Sequence, residues 1–449
     1  MAKTSDAQLC DNAPRPADAN GHPVAAQPAL VDDCFVLDRP RVTHAQAIEI
    51  LRQRLLPIAS VETVDLPLAS GRILAQDAIA QRPIPSHTNS AVDGYGFAHA
   101  DVGPQGALLP VAGRAAAGPA LAAPVRRHAA VRILTGAVVP PELDTVVMQE
   151  DVELLPVEGV NHVRIPAGAQ RGANIRHAGE DVASGERLFA SGHMLRPQDL
   201  AALASAGLGQ ILCRRQLRIG IFSTGDEVVR PGTPLREGQV YDANAPMISA
   251  LVATSGAQAE DLGVLPDDPA IVRDRLAEAA TRYDVLITSG GASRGEEDHV
   301  VAALDAIGKR HLWQIAIKPG RPMSFGQIGA CVFIGLPGNP VAVFVCFLLY
   351  AWPMLRRLGG APWPEPRTLQ LPALRAITKK TGRREYWRGM LRQDGGRLLV
   401  EKFERDGSGL ITSLRMADGL IEAAEDVGSI GAGELVTFIP FTEYGIPRP

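Results

Sequence analysis

Apolar and polar positions change their spacing several times along the chain, and each change marks a different kind of structure. Residues 1 to about 36 mix Ala, Pro, Asp and Asn without a period, which predicts a disordered leader that buries too little surface to order itself. Thr43 and Gln46 then stand at capping-box spacing, and Ala47, Ile50, Leu51 and Leu55 recur on one face up to Pro57, predicting an amphipathic helix. From Val61 to about Val163 the apolar runs are short and broken by Gly and Pro, as in GRILAQDAI and TVVMQEDVEL, which predicts a β-rich module without a long helix. Residues 164 to 194 read as polar turns and short strands, after which Pro197 opens a helix with Asp199 in its first turn and Gly207 at its C-terminal cap.

From Leu217 the spacing alternates between periods of two and of about 3.6. The strands LRIGIFS, AEDLGVL, DVLITS and CVFIGL are separated by helical stretches at Pro246 to Ser255, about Pro269 to Tyr283, and Glu296 to Gly308, with a further apolar helix from Pro340. Such alternation predicts parallel βαβ units with right-handed crossovers, hence an α/β domain over residues 215 to 360. A Gly/Pro-rich linker, Gly359 to Pro366, leads into strand-like runs with turn signals at Thr381-Gly382, Asp394-Gly395-Gly396, Asp406-Gly407 and Gly431-Ala432-Gly433, predicting a small β-barrel or sandwich.

Composition narrows the function more than the fold. A length of 449 residues implies about three domains. A formal net charge of -4 gives no electrostatic case for nucleic acid or an anionic membrane. The five cysteines, at 10, 34, 213, 331 and 346, lack C-x-x-C or zinc-knuckle spacing and read as reduced thiols. The first thirty residues contain no apolar signal core, so a cytoplasmic location is expected. The uncharged run Val341 to Leu355 is about 15 residues, short of the 18 or more for a membrane span, and reads as a buried core helix.

Candidate chemistry concentrates where three strands of the α/β domain end. IGIFSTGDE (219 to 227), VLITSGGASRG (285 to 295) and VFIGLPGNP (332 to 340) each run from an apolar strand into a Gly-rich polar turn. In a parallel sheet these turns emerge on one edge, where backbone N–H groups and the side chains of Thr224, Ser289 and Asn339 would line a ligand surface with Asp226 and Glu227. The bland alternatives are tight connections for the glycines and helix or turn capping for the two acids. Carboxylates beside an anion site call for a cation, and Mg²⁺ suits mixed carboxylate and phosphate oxygens. IKPGRP (317 to 322) adds Lys318 and Arg321 about a Pro-Gly turn, and NSAVDGYG, RILTGA and GANIRHAGED contribute Asp93, Thr135, Arg176, Glu180 and Asp181 in what composition alone would class as turns. No Walker A sequence, G-x-G-x-x-G, H-E-x-x-H or G-x-S-x-G is present.

Taken in order, NSAVDGYG, RILTGAVVPPELDTVVMQED, GANIRHAGEDV, FSTGDEV, TSGGASRGEED, IKPGRP and GLPGNPVA resemble the molybdopterin molybdenumtransferases, the MoeA family, which is related to the gephyrin E domain. The resemblance covers about residues 42 to 440. It implies a multidomain α/β plus β protein: a 1–36 leader, an N-terminal linker and dimerisation region at 37–62 and 164–214, an inserted β-rich module at 63–163, a three-layer molybdopterin-binding α/β domain at 215–360 and a C-terminal β-barrel at 361–449. Members of the family insert molybdate into the dithiolene of adenylylated molybdopterin, releasing AMP and forming molybdenum cofactor, with Mg²⁺ or alternatively Zn²⁺. They are elongated homodimers whose site lies between the α/β domain of one subunit and the N-terminal region of the other.

On that resemblance the family's functional positions fall on Asp93, Thr135, Asp181, Glu227, Asp267, Asp298, Pro337 and Pro340, with Asp181, Glu227 and Asp298 as metal-side carboxylates. Thr224, Gly225, Ser289, Gly290, Gly291, Ser293, Gly338 and Asn339 would bind the pterin phosphates, and Lys318, Arg321, Arg388 and Ser408 the molybdate side. Val92, Arg321 and Gln314 depart from a usual Met, a usual Lys and a frequent Lys, respectively. The implied partners are the preceding molybdopterin adenylyltransferase and recipient molybdoenzymes or their chaperones. Two alternative functions stand beside this one. An adenylyltransferase would be similar to residues 215 to 360 alone, and a gephyrin-like scaffold would bind peptides rather than turn over substrate.

Overall fold

The computed structural model describes residues 42–119, 121, 123–291, 299–320, 322–407 and 409–448, so the expected leader lies outside the described residues. The chain forms two compact units, one made of residues up to Glu62 together with Arg214 onward, the other of Thr63–Cys213.

In the first unit a six-stranded sheet contains β1 (Arg218–Thr224), β2 (Gln258–Leu265), β3 (Val285–Ser289), β4 (Lys309–Gln314), β5 (Pro322–Ile328) and β6 (Cys331–Leu336), in the order β2-β1-β3-β6-β5-β4. The first four in that order are parallel, as the alternating spacing predicts, while β5 and β4 add antiparallel strands at one edge. The period of two in the strands sorts the core onto two faces. Ile219, Ile221, Val285, Ile287, Val332 and Ile334 pack with the apolar helical segment after Pro340 and with Ala47 and Leu51. Phe222, Leu286 and Phe333 face the other way, against Val272, Leu276, Val300 and Leu304. Helices on both faces make the three layers, and each such fully buried large side chain contributes about 1.5–3 kcal/mol.

The helical run Pro340–Leu358 is 19 residues long and apolar enough to pass for a membrane span, but 89% of its apolar window is buried inside the protein. It is the core helix of the sheet. Its middle, Phe347–Ala351, is a π turn in which the Trp352 N–H reaches back to the Phe347 carbonyl. Pro353, next in the chain, has no N–H to continue an α-helical ladder, and the wide turn accommodates that break.

The C-terminal sheet runs Ile317–Lys318, Arg384–Asp394, Gly419–Ala423, Leu435–Pro440 and Leu369–Pro372, with Arg397–Lys402 paired to Arg384–Asp394. It curls until Ala373, just past Leu369–Pro372, bridges Val400, and Leu374 N–H donates to the Val400 carbonyl at 2.9 Å. Among the described residues that single bridge spans the gap, so the β-barrel is incomplete rather than closed by a continuous ladder. Phe438, Trp387 and Val400 fill its interior.

The predicted first helix is His44–Arg54, with the reciprocal Thr43 and Gln46 capping bonds in place. His44, at its start, bonds Tyr350 Oη through Nδ1 at 2.8 Å and packs edge-on to the Tyr350 and Tyr386 rings. Burial, with the Arg384 charge adding and Glu425 opposing, pushes its pKa from 6.5 down to about 4. The unfolded chain therefore takes up a proton near pH 6.5 that the folded chain refuses until about pH 4. Stability from this group is complete above that window and falls as pH drops through it, by about 3 kcal/mol. Denaturant titrations between pH 7 and 4 should show this slope flattened in His44→Gln; an unchanged slope would exclude His44 as its source.

The second unit holds a six-stranded sheet in the order Thr145–Met148, Gly94–Phe97, Ala130–Ile133, Ala107–Ala115, Val160–Ile165, Glu153–Val157. Beside it lie two-stranded pairs and the helix Pro197–Ser205. Buried Asp199 organises the start of that helix, accepting from the Arg196 main chain and guanidinium and from His193.

Candidate functional site

The site begins with strand register. Ser223 of β1 lies beside Ser289 of β3, and Ser289 beside Leu336 of β6, so three neighbouring parallel strands end together. The chain leaving β1 goes to the helix Asn244–Thr254 on one face, while that leaving β3 goes to His299–Ile307 on the other. Neighbouring loops that part to opposite faces open a crevice at the carboxyl edge of a parallel sheet.

The crevice is a cavity of about 760 Å³. Thr224, Gly225, Ser289, Gly290, Gly291, Gly338, Asn339 and Pro340 all line it, so the three Gly-rich turns meet in one place. Two glycines are required by geometry. Gly290 has φ +93, and a Cβ there would clash with Thr224 Oγ1; Gly225 has φ +116, a left-handed backbone that a side chain adopts only under strain, with the movable Glu227 carboxylate beside it. Gly290 N–H donates to the Leu336 carbonyl at 3.0 Å, and Thr224 Oγ1 to the Ser289 carbonyl at 3.3 Å, tying the turns together.

Glu227 and Asp267 line the same cavity. Asp226 is committed elsewhere: its carboxylate accepts from Asp267 N–H at 3.1 Å while Asp267 accepts from Asp226 N–H at 3.2 Å, a reciprocal clip between the ends of β1 and β2. Among the described residues no group of three or more His, Cys, Asp or Glu is gathered as a metal cage. One or two carboxylates facing a phosphate cradle are nevertheless what Mg²⁺ uses, since it completes its shell with water and phosphate oxygens. Glu227 and Asp267 offer carboxylate oxygens and His299 adds a ring nitrogen to the lining, while the described cysteines, 213, 331 and 346, are buried away from it, so no thiolate is available to a metal there.

The structure also supplies residues that the motif reading passed over. Buried Asp242 accepts from Ser223 Oγ, from Arg230 at 2.6 Å and from the N–H groups of Asn244 and Ala245, thereby fixing the helix start to β1. Asn244 Nδ2 donates to the Gly338 carbonyl at 2.7 Å, fastening that start to the third turn. The Asp-x-Asn just before Pro246 was a helix-start signal in the sequence. Gly409 and Ile411, from the C-terminal part, line the cavity too, and no local signal marks them.

On the C-terminal sheet, Lys318 stands beside Glu385, its Nζ 3.2 Å from the buried Oε2, which also accepts from Trp387 Nε1; Arg383 lies 3.6 Å from Oε1. Arg388 is buried, donating to Ser413 Oγ at 3.0 Å and to the Arg405 carbonyl at 3.1 Å. Neither Lys318 nor Arg388 lines the 760 Å³ cavity, nor does Pro337. Ser293, Asp298, Arg321 and Ser408 lie outside the described residues.

Within the second unit Asp93 and Thr135 are brought together. The Asp93 carboxylate accepts from Thr135 N–H at 2.8 Å and Oγ1 at 2.7 Å, and these bonds, the main-chain one foremost, hold its pKa below the usual carboxylate range. Asp181 follows the turn closed by Gly179, its N–H donating to the Ile84 carbonyl at 3.0 Å.

Three family models account for the chain in succession: the MoeA N-terminal region (domain I and II) at residues 42–207, the probable molybdopterin binding domain at 220–357, and the MoeA C-terminal region (domain IV) at 370–441. The chain belongs to the MoeA family. It is 37% identical over 402 residues to a molybdopterin molybdenumtransferase of Haemophilus influenzae, covering 89% of this chain and 98% of that relative. It is 32% identical over 426 residues to the one of Nostoc sp., covering 92% and 88%. Among solved structures, the molybdopterin biosynthesis MoeA protein of Pyrococcus horikoshii OT3 matches with a TM-score of 0.74 at 27% identity, covering 89% of this chain and 100% of that one. Of the departures from the usual MoeA pattern, Val92 packs partly buried against the core of the second unit.

Proposed function

We propose that this MoeA-family chain is a molybdopterin molybdenumtransferase that inserts molybdate into adenylylated molybdopterin, releases AMP and forms molybdenum cofactor. The observation that carries the reading is the convergence of three glycine turns with Glu227 and Asp267 in one cavity. The Gly225 and Gly290 N–H groups are held by the Leu265 and Leu336 carbonyls and shape the turns, leaving the Gly291 N–H to meet phosphate oxygens, while the Thr224 and Ser289 hydroxyls can still accept or turn toward them. Glu227 would hold Mg²⁺ there, with Asp181 and Asp298 as the family resemblance implies. When bound, the ion neutralises and polarises the phosphoanhydride.

The chain's own contribution is positional and electrostatic. The glycine turns fix the phosphates without induced rearrangement, and the Asp242 and Asn244 bonds keep the turns in register. Lys318 suits the tetrahedral dianion, with Glu385 offsetting its charge until an oxyanion competes for it, whereas buried Arg388, held by Ser413 and the Arg405 carbonyl, is assigned to the molybdate side by the family resemblance alone. A homodimer in which Asp93, Thr135 and Asp181 come from the other subunit completes the proposal.

An adenylyltransferase would not require the N-terminal and C-terminal regions that flank residues 220–357 here. Incubating the purified protein with adenylylated molybdopterin, molybdate and Mg²⁺ should yield cofactor that activates a cofactor-free molybdoenzyme; failure to activate it would contradict the assignment.

A further inference from the structure

The 760 Å³ cavity is lined by polar groups such as Thr224, Glu227, Asp267, Ser289 and Asn339, and large apolar side chains stand among them. Val240, Tyr241 and Ile411 all line it, and they are 52%, 47% and 51% exposed. Large apolar side chains left in water cost free energy, and three on one cavity mark a surface awaiting cover. Among the described lining residues Tyr241 is the only Phe, Tyr or Trp, standing with the smaller ring of His299, and its side chain has no hydrogen bond or ring contact with other described residues.

The segment carrying Tyr241 is firmly placed. Val240–Tyr241 pairs in parallel with Val228–Val229, Asp242 follows at once with its bonds to Ser223 and Arg230, and Asn244 is tied to the Gly338 carbonyl. An amphipathic aromatic ring carried on a fixed segment beside a phosphate-type cradle is suited to stacking on a flat ring that hangs from the phosphate.

The geometry points to Tyr241 as the ring-stacking residue of this cavity, a specificity-determining wall for a planar nitrogen heteroaromatic group whose phosphate lies in the glycine turns. Adenine and a pterin share that chemistry, and both are carried by the proposed substrate. The inference rests on the reading of the turns as a phosphate cradle.

Calorimetric titration of the full-length protein tests it with AMP, neopterin monophosphate and, as a ringless control, ribose 5-phosphate. Tyr241→Ala should bind one or both ring-bearing ligands about ten-fold more weakly or worse, with ribose 5-phosphate unchanged. Tyr241→Phe, which keeps the stacking face, should stay within about two-fold of wild type. Loss for AMP alone assigns the adenine, and loss for neopterin monophosphate alone assigns the pterin. Unchanged affinity for both, or an equal loss for ribose 5-phosphate, would overturn the role of Tyr241 while leaving the cradle intact. If wild type binds none of the three, the cradle reading fails and the stacking wall with it.

Discussion

Glu227→Ala is expected to lower cofactor formation about a hundred-fold or more while leaving the protein folded. Glu227 is exposed, lies against the Gly225 main chain and faces the cavity, and it has no ion-pair partner among the described residues. A surface carboxylate of that kind contributes within about 0.5 kcal/mol to stability, so the melting temperature should scarcely move. Its removal takes away negative charge where the proposed cation must be held against a polyphosphate. Near-normal reconstitution of a molybdoenzyme by the variant would remove Glu227 from the site.

Gly290→Ala should be damaging for a different reason. The residue has φ +93, which an alanine adopts only under strain, and the added methyl would clash with Thr224 Oγ1. Strain of this kind costs about 1–3 kcal/mol, and relieving the clash means moving Thr224 off the Ser289 carbonyl, which opens the cradle. Loss of AMP binding should therefore accompany a lowered denaturation midpoint. Adding Thr224→Ala to Gly290→Ala should recover part of the stability, because it removes the clash and leaves only the backbone strain, without recovering binding. Wild-type AMP affinity in the single variant would show that the second turn does not touch the ligand.

The parts of this fold that could be read from the chain are those decided locally. The Thr43 and Gln46 cap, the alternating strands and helices after Leu217 and the glycine-punctuated strand ends each carry their own signal, and each stands in the structure within a few residues of its expected place. The antiparallel pair Lys309–Gln314 and Pro322–Ile328 was not expected, because its pairing is decided by the sheet edge rather than by its own pattern. Ile317–Lys318 sits between those two strands in sequence yet pairs with Arg384 and Glu385 of the C-terminal sheet. No local reading brings Lys318 to a buried glutamate 67 residues away. Asp242 and Asn244 were similarly silent, since a helix-start signature does not reveal that the same side chains brace two turns of a site.

The central claim is that phosphoanhydride cleavage is coupled to metal insertion in a cavity made by these turns. It is tested most directly by incubating wild-type protein with adenylylated molybdopterin and Mg²⁺ and following AMP with and without molybdate. Rapid AMP release that depends on the oxyanion, together with cofactor formation, is the predicted result. AMP release at the same rate without any oxyanion, or none in its presence, would contradict it.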